Sequence, residues 1–549
     1  MKAASAARGV SLAVLLAASG AMARVAPSSG EQQALAADPI LYTASRVYFP
    51  TDDPALPARR LFRLTRDQID LTVAALLPGY VKRSVKEVMP KDPLQTNYEY
   101  AEMIGLNAAN WGPLSTWIAE IAARVRSDPK RLVACPDTRD EACLKEKARG
   151  FVVRAFRGAA PPAKVDRLVG FFLEGVRSSG AAQAVGDLVE VVLNSPDFLF
   201  RKEVDVDAAG HLAPAERLET LAYTLADAPP WKLGLAVPVK EGDVADPDAT
   251  AAVAERILAA PEARAKLVRF FKTWLEIKAP ADFTISRETF PEFTPQLAEA
   301  MVAETDRFLE AKLAQPAPRL KDITRASEAF VSKPLEALYA AKAADPSGRK
   351  AVPVDATRRL GIFSQPAVIA SHSGPTGTRL VKRGVFWVRK VMCMEMSPPP
   401  PGINTTLYGG AKTTERARIE EVTAKKACIG CHKKIDPFGF LQENWDALGR
   451  WRALDNGFPV DAAISIDFLD EQPVETSGPV EALRVLTGAM MFKQCFVRQL
   501  FRFYMGRNEE PGDDPLLRRM FLAFAARDEQ DILQALRVLA VAPRTVLRK

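Results

Sequence analysis

The run Ala427-Cys428-Ile429-Gly430-Cys431-His432 constrains this chain more than any other part of its sequence. Two thiols three positions apart, followed at once by an imidazole, share one face of a helical turn, because side chains at i, i+3 and i+4 are neighbours. Such a face can add its two thiols across the two vinyl groups of one porphyrin edge and bring the imidazole to the iron. This is the c-type haem attachment pattern. Cys428, Cys431 and His432 are therefore read as the sites of a single covalent haem c, with His432 an iron ligand. Two other chemistries use paired cysteines. A structural zinc site needs four ligands, and no second close pair follows. A thioredoxin-like dithiol needs a βαβ setting and a turn that opens a helix. Here the pattern places a helix before the motif, with Thr414 as its N-cap and Glu415 in its first turn.

The beginning of the chain reads as an address. Lys2 and Arg8 precede the apolar run from Val10 to Ala18, and Ala21-Met22-Ala23 fits a small-residue cleavage site. Residues 1–23 are expected to be a cleaved signal peptide, too short to cross a bilayer core of about 30 Å. No other apolar run approaches that length, so a protein without a membrane span is expected, exported to the periplasm or beyond the cell. Disulfides persist there. Four cysteines remain beside the motif. Cys135 and Cys143 enclose a short polar loop and are expected to pair. Cys393 and Cys495 lie beside apolar helices and are expected to staple the haem segment to the C-terminal helices.

Between these landmarks the apolar residues recur at helical spacing. Ile69, Val73 and Leu76 make one such stripe; Leu114, Ile118 and Ile121 make another. β alternation is scarce, the best stretch being Ala462 to Phe468. The fold class is mostly α, in several small helical domains that include a cytochrome-c-like haem segment. A polar linker at 24–57 leads to helical domains at 58–130, 131–205 and 206–345. A haem-binding domain at 355–455 and a C-terminal domain at 475–549 follow. The run Pro398 to Pro401 should be extended, since each ring fixes φ and removes a donor.

With only three histidines, His211, His372 and His432, a multi-histidine metal cluster is out of reach. For the second axial position, His372 in a Gly-rich loop, or Met490 or Met491 some sixty residues beyond His432, are the candidates. Met–His ligation would raise the potential. Met392, Met394 and Met396 lie near Cys393, and His211 reads as a surface or capping residue.

Charge is unevenly spread. Between Asp355 and Arg452 there are 16 Lys and Arg against 8 Asp and Glu, a net +8. Without Lys2 and Arg8 the chain carries +5, so the remainder is −3. A basic region around the motif can steer an acidic redox partner toward a haem edge. Export and the lack of basic–aromatic interleaving argue against nucleic acid. No nucleophile elbow, zincin motif or phosphate-binding loop is present.

These residues together resemble a bacterial exported family of unknown function, whose members string small helical domains around one planctomycete-type cytochrome c segment. Leu64-Thr65-Arg66 with Ala74 to Leu77 resembles the opening domain. Cys135, Cys143, Arg154-Ala155-Phe156-Arg157 and Ser195-Pro196-Asp197-Phe198-Leu199 resemble the next. Ala259 to Leu275 and Glu304-Thr305 match the central domain. Gly361-Ile362, Ser371-His372, Val381-Lys382-Arg383-Gly384, the proline run and Cys428 to Arg452 match the haem segment, and Phe492 to Arg507 the closing one. The resemblance implies haem binding at Cys428, Cys431 and His432, and favours His372 over the methionines. It implies that Asp436, Pro437, Gly439, Glu443, Asn444, Asp446 and Gly449 form a loop and helix packed on the porphyrin. Arg379-Leu380 and Gly158-Ala159 depart from the family's Ser-Pro and Arg-Pro. Electron transfer, or a haem redox step in an exported pathway, is the expected function. A peroxidase- or oxygenase-like haem enzyme, or a carbohydrate-associated structural protein with peripheral haem, are the alternatives.

Overall fold

The computed structural model describes residues 29–54, 56–137, 140–236, 246–397, 413–467 and 473–542, together with 545 and 548. The expected signal peptide, the run from Pro398 to Pro401 and Tyr408-Gly409-Gly410 lie outside them. The described residues are mostly helical, and their strands pair only in small two-stranded sheets. No helix among them is long and apolar enough to cross a membrane.

Helix α1 (Pro39–Tyr48) starts where the Asp38 carboxylate accepts from Leu41 N. Strand β1 (Arg60–Arg63) then leads into α2 (Arg66–Leu76), which opens on a reciprocal Thr65–Gln68 capping box. Next come α3 (Ala108–Ser127), α4 (Glu141–Ala155), α5 (Pro162–Ser179) and α6 (Ala181–Leu193). β2 (Phe200–Glu203) returns antiparallel to β1. Ile69, Trp117, Phe151, Phe172 and Val189 from all five helices α2–α6 meet in one core. The segments 58–130 and 131–205 thus share a single apolar interior, with α3 packed along α6. Cys135 and Cys143 are disulfide-bonded at the start of α4, where Asp140 caps Cys143 N.

The Phe156-Arg157 and Ser195-to-Leu199 motifs turn out to be one device. Arg157, fully buried, donates to Phe198 O at 2.8 Å, Asp197 O at 2.9 Å and Phe200 O at 2.9 Å. Its Nε faces the Glu219 carboxylate at 2.7 Å on α7 (Pro214–Ala226), which locks this first unit onto the next.

The central helices are α8 (Pro247–Ala259), α9 (Pro261–Trp274) and α10 (Pro295–Leu313). The haem-motif region holds α11 (Pro366–Ser371), α12 (Leu380–Phe386), α13 (Glu415–Thr423) and α14 (Lys426–Phe440). A hairpin of β3 (Ile464–Ile466) and β4 (Val474–Thr476) follows, in the stretch singled out by its alternation. The chain closes with α15 (Pro479–Leu486), α16 (Met490–Met505), α17 (Asp514–Ala525) and α18 (Ile532–Ala540). The largest core runs through all of these elements. Its hub is Trp274, which is fully buried, stacks on Phe270 at 5.9 Å and meets Phe496 edge-on at 5.3 Å. The indole N–H donates to Lys390 O at 2.7 Å. Beside it, Cys393 and Cys495 are joined.

The stretch read as a polar linker contributes to this same core. Leu41 of α1 and Phe49 just after it are buried there, with Phe49 against Phe521 of α17 at 6.0 Å.

Candidate functional site

The site is built on α14, and its frame is set by α12. Gly384 of α12 lies against the Ile435 carbonyl, and Gly439 of α14 against the Leu380 carbonyl, so that a Cβ at either position would collide with backbone. Two glycines thus let the two helices cross in backbone contact. Glu415, in the first turn of α13, accepts from Leu380 N at 2.9 Å and from the Thr378 hydroxyl, and so caps α12 from a neighbouring helix. Thr414 caps α13 through Ala417 N at 3.2 Å, as the sequence predicts.

The motif itself sits differently from expectation. Helix α13 ends at Thr423 and a new helix opens at Lys426, so Cys428, Cys431 and His432 follow the expected helix but themselves occupy the first turns of a second one, α14. That helix runs on through Pro437 to Phe440, in the segment for which the resemblance implies a loop and helix. Pro437 lacks a donor and its ring crowds the carbonyl one turn back. Burial of Phe438, Gly439 and Phe440 against the core holds the segment helical past it. A helix-opening dithiol therefore exists here, but among the described residues the βαβ setting of a thioredoxin does not.

Cys428 is half-buried, Cys431 is exposed, and both are free thiols. His432, one helical turn before Asp436, places Nδ1 at 2.8 Å from Asp436 Oδ1. A carboxylate at this distance accepts, so Nδ1 carries the proton and Nε2 keeps its lone pair for a metal. Asp436 is nearly buried, and its Oδ2 lies 3.1 Å from the Thr423 hydroxyl of α13. Beside the imidazole opens a cleft of about 520 Å³, lined by Arg416, Ile429, Phe440 and Ile464 as well as His432 and Asp436. Its lining mixes these apolar side chains with two ion pairs, Arg416–Glu420 and Lys433–Asp467. Among the described residues, no three His, Cys, Asp or Glu side chains converge on a metal-ion site. His432 can therefore bind a metal only where another group supplies the remaining ligands. Sequence reading missed the Asp436–His432 pair, although the i, i+4 spacing was its signal.

The candidates for a second axial ligand lie elsewhere. His372, at the end of α11, is buried and stacks on Phe386 with ring centroids 3.8 Å apart. Its Nε2 lies 2.9 Å from Leu275 O, an acceptor, so this nitrogen is the protonated one. Met490 and Met491 pack at the margin of the main core, as do Met394 and Met396. None of these side chains lines the cleft at His432. His211 is half-buried and faces Asp207.

Burial holds the His372 imidazole down at about 3. In the unfolded chain an imidazole titrates near 6.5. Between those values the unfolded state binds more protons, so stability falls as the pH drops through this window. Urea unfolding at pH 5 is expected to show about 2 kcal/mol less stability from this group than at pH 7. His372→Gln, which keeps a donor for Leu275 O, should remove that increment; an unchanged pH dependence would assign it elsewhere.

The charge excess is divided between the interior and the surface. Arg359 and Arg383 are fully buried, Lys390 is nearly so, and Arg416, Arg450 and Arg452 are ion-paired. Lys425, Lys433 and Lys434, flanking the motif, remain at the surface.

Three family profiles match the chain in succession. Residues 143–203 match PSD5, a protein of unknown function (DUF1595), and residues 212–340 match PSD4, likewise of unknown function (DUF1592). Residues 359–455, which contain the Cys428-to-His432 motif, match PSCyt3, of unknown function (DUF1588). No curated protein and no solved structure matches. The chain is thus a multidomain protein carrying three domains similar to planctomycete cytochrome-c-like families.

Proposed function

We propose that this chain is an exported c-type monohaem protein that carries electrons, or performs a haem redox step, for an extracytoplasmic pathway. The observation that carries this reading is the imidazole of His432, with Nδ1 held by Asp436 and Nε2 left free beside two unpaired thiols one turn apart. That donor set fits a covalently attached porphyrin. Cys428 and Cys431 would hold it by thioether bonds, and His432 would ligate its iron. Bound there, haem supplies a one-electron Fe(III)/Fe(II) couple. Ile429, Phe440 and Ile464 give the cleft beside the imidazole an apolar wall, and Arg416 and Lys433, paired with Glu420 and Asp467, stand at its margin. The exposed Lys425, Lys433 and Lys434 are suited to orienting an acidic redox partner.

A second reading, a ligand-binding haem enzyme, is favoured by one observation: His372, Met490 and Met491 all lie outside the cleft at His432.

Both readings are tested on the full chain matured in a periplasm with haem-attachment machinery. A c-type absorption spectrum and a haem-staining band that survives denaturation are expected, both abolished in the Cys428→Ala/Cys431→Ala variant. No covalent haem on the wild-type chain would overturn the proposal. Cyanide then divides the readings, a carrier remaining indifferent and an enzyme binding it.

A further inference from the structure

The contact between Asp436 and His432 carries an inference that rests on the haem reading above. Axial imidazoles commonly donate the nitrogen that faces away from the metal to a neutral acceptor or to a carboxylate. A carboxylate is the stronger choice, since a hydrogen bond to an ionised acceptor is roughly twice as strong as one between neutral groups. It also pulls the Nδ1 proton toward itself, gives the ring imidazolate character and strengthens Nε2 as an electron donor. Here the acceptor is a carboxylate one turn along the same helix, 2.8 Å from Nδ1 and nearly buried. Burial removes the water that would screen its charge.

The second carboxylate oxygen is also committed. The Thr423 hydroxyl stands 3.1 Å from Asp436 Oδ2 and 2.8 Å from Ile419 O, so it shares one proton between two acceptors. Asp436 is therefore positioned from α13 while it acts on α14, and its charge is only partly neutralised.

We infer that Asp436 is a positioning residue that fixes the Nδ1–H tautomer of His432 and makes it an electron-rich axial ligand, which stabilises the ferric iron. Second-shell hydrogen bonding is one of the levers by which a protein sets haem potential.

The test uses the full chain with covalent haem and reads the midpoint potential by spectroelectrochemistry and the iron–histidine stretch by resonance Raman. Asp436→Asn keeps an acceptor of the same shape and removes its charge. Its potential is expected to rise and its iron–histidine band to move to lower frequency. Thr423→Val removes the hydroxyl that partly neutralises the carboxylate, so both readouts should move the opposite way. Asp436→Glu should restore the wild-type direction at least in part. Opposite shifts in the two variants support the inference. A merely structural role would lower stability in both variants and leave potential and band where they were, which overturns it. If Asp436→Asn fails to fold, the Thr423→Val shift alone decides, and no shift there overturns the inference as well. Absence of covalent haem in the wild type would instead sink the functional reading, so the two failures are distinguishable.

Discussion

Breaking the Cys393–Cys495 disulfide is expected to lower stability by about 4 to 5 kcal/mol, with the native fold retained at neutral pH. The bond closes a loop of 102 residues, and the chain-entropy relation gives about 4.7 kcal/mol for a loop near that length. The same relation gives about 2.5 kcal/mol for Cys135–Cys143, whose separation is 8. The long bridge is therefore the stronger constraint on the unfolded chain. Local contacts should hold the ends together without it. Gln499 Nε2 donates to Lys390 O at 2.9 Å, Trp274 Nε1 donates to the same carbonyl, and Lys390 Nζ reaches Thr96 O at 2.9 Å. These tie α16, α9 and the N-terminal unit to the backbone just before Cys393. Urea unfolding of the Cys393→Ala/Cys495→Ala variant, with far-UV circular dichroism as readout, checks the prediction. A change below about 1 kcal/mol would show that the bridge adds nothing to what the contacts already hold.

Both cysteine pairs were legible because the expected export, an even count and the assignment of Cys428 and Cys431 to their own motif left four thiols to be matched. The helical class was legible for a similar reason: stripes such as Ile69, Val73 and Leu76 bury one face, and the structure uses that face. What escaped was side-chain packing set by partners distant in sequence. Residues 39–48 read as part of a polar linker, yet Leu41 and, just past the helix, Phe49 close a core whose other wall is built from α16 and α17. Pro437 removes a donor inside α14, but tertiary burial outweighs that loss and keeps the helix whole. His372 read as a loop ligand because its neighbours are Gly-rich. The turn containing it is instead packed against Phe386 and the Leu275 carbonyl, both contributed by other elements. The haem motif was read from six residues; what orients it came from the fold. Asp436 lay within reach of sequence reasoning, but its anchor Thr423 sits on the preceding helix, and only the angle between α13 and α14 brings the two together.

The second large effect is expected at Arg383. Its side chain is completely buried and donates four hydrogen bonds: to Gln442 O at 2.9 Å, Trp445 O at 2.8 Å, Asp446 O at 2.8 Å and Ser373 Oγ at 2.8 Å. Three of these acceptors are carbonyls of the turn that follows α14, the segment carrying the Glu443, Asn444 and Asp446 match. Among the described residues no carboxylate stands within ion-pair distance of this guanidinium, so backbone dipoles hold the charge. Burial accordingly pulls Arg383 down to about 9. Arg383→Met fills most of the volume but strands three buried carbonyls, each worth about 1 to 3 kcal/mol when left unsatisfied. Backbone relaxation and water entry recover part of that, which leaves an expected loss of about 3 to 5 kcal/mol, in the range for breaking a buried charged network. Arg383→Lys should recover only part of it, because one ammonium cannot span the fork that a guanidinium fills. Thermal and urea unfolding of the two variants check the order, wild type above Lys above Met. Equal stability of all three would show that the turn after α14 holds its shape without the clamp. The position matters to the site because Arg383 is adjacent to Gly384, where α12 crosses α14 in backbone contact. A helix that touches His432's own helix at one residue and grips its exit turn at the next fixes that helix in both translation and rotation, and so fixes where the imidazole faces.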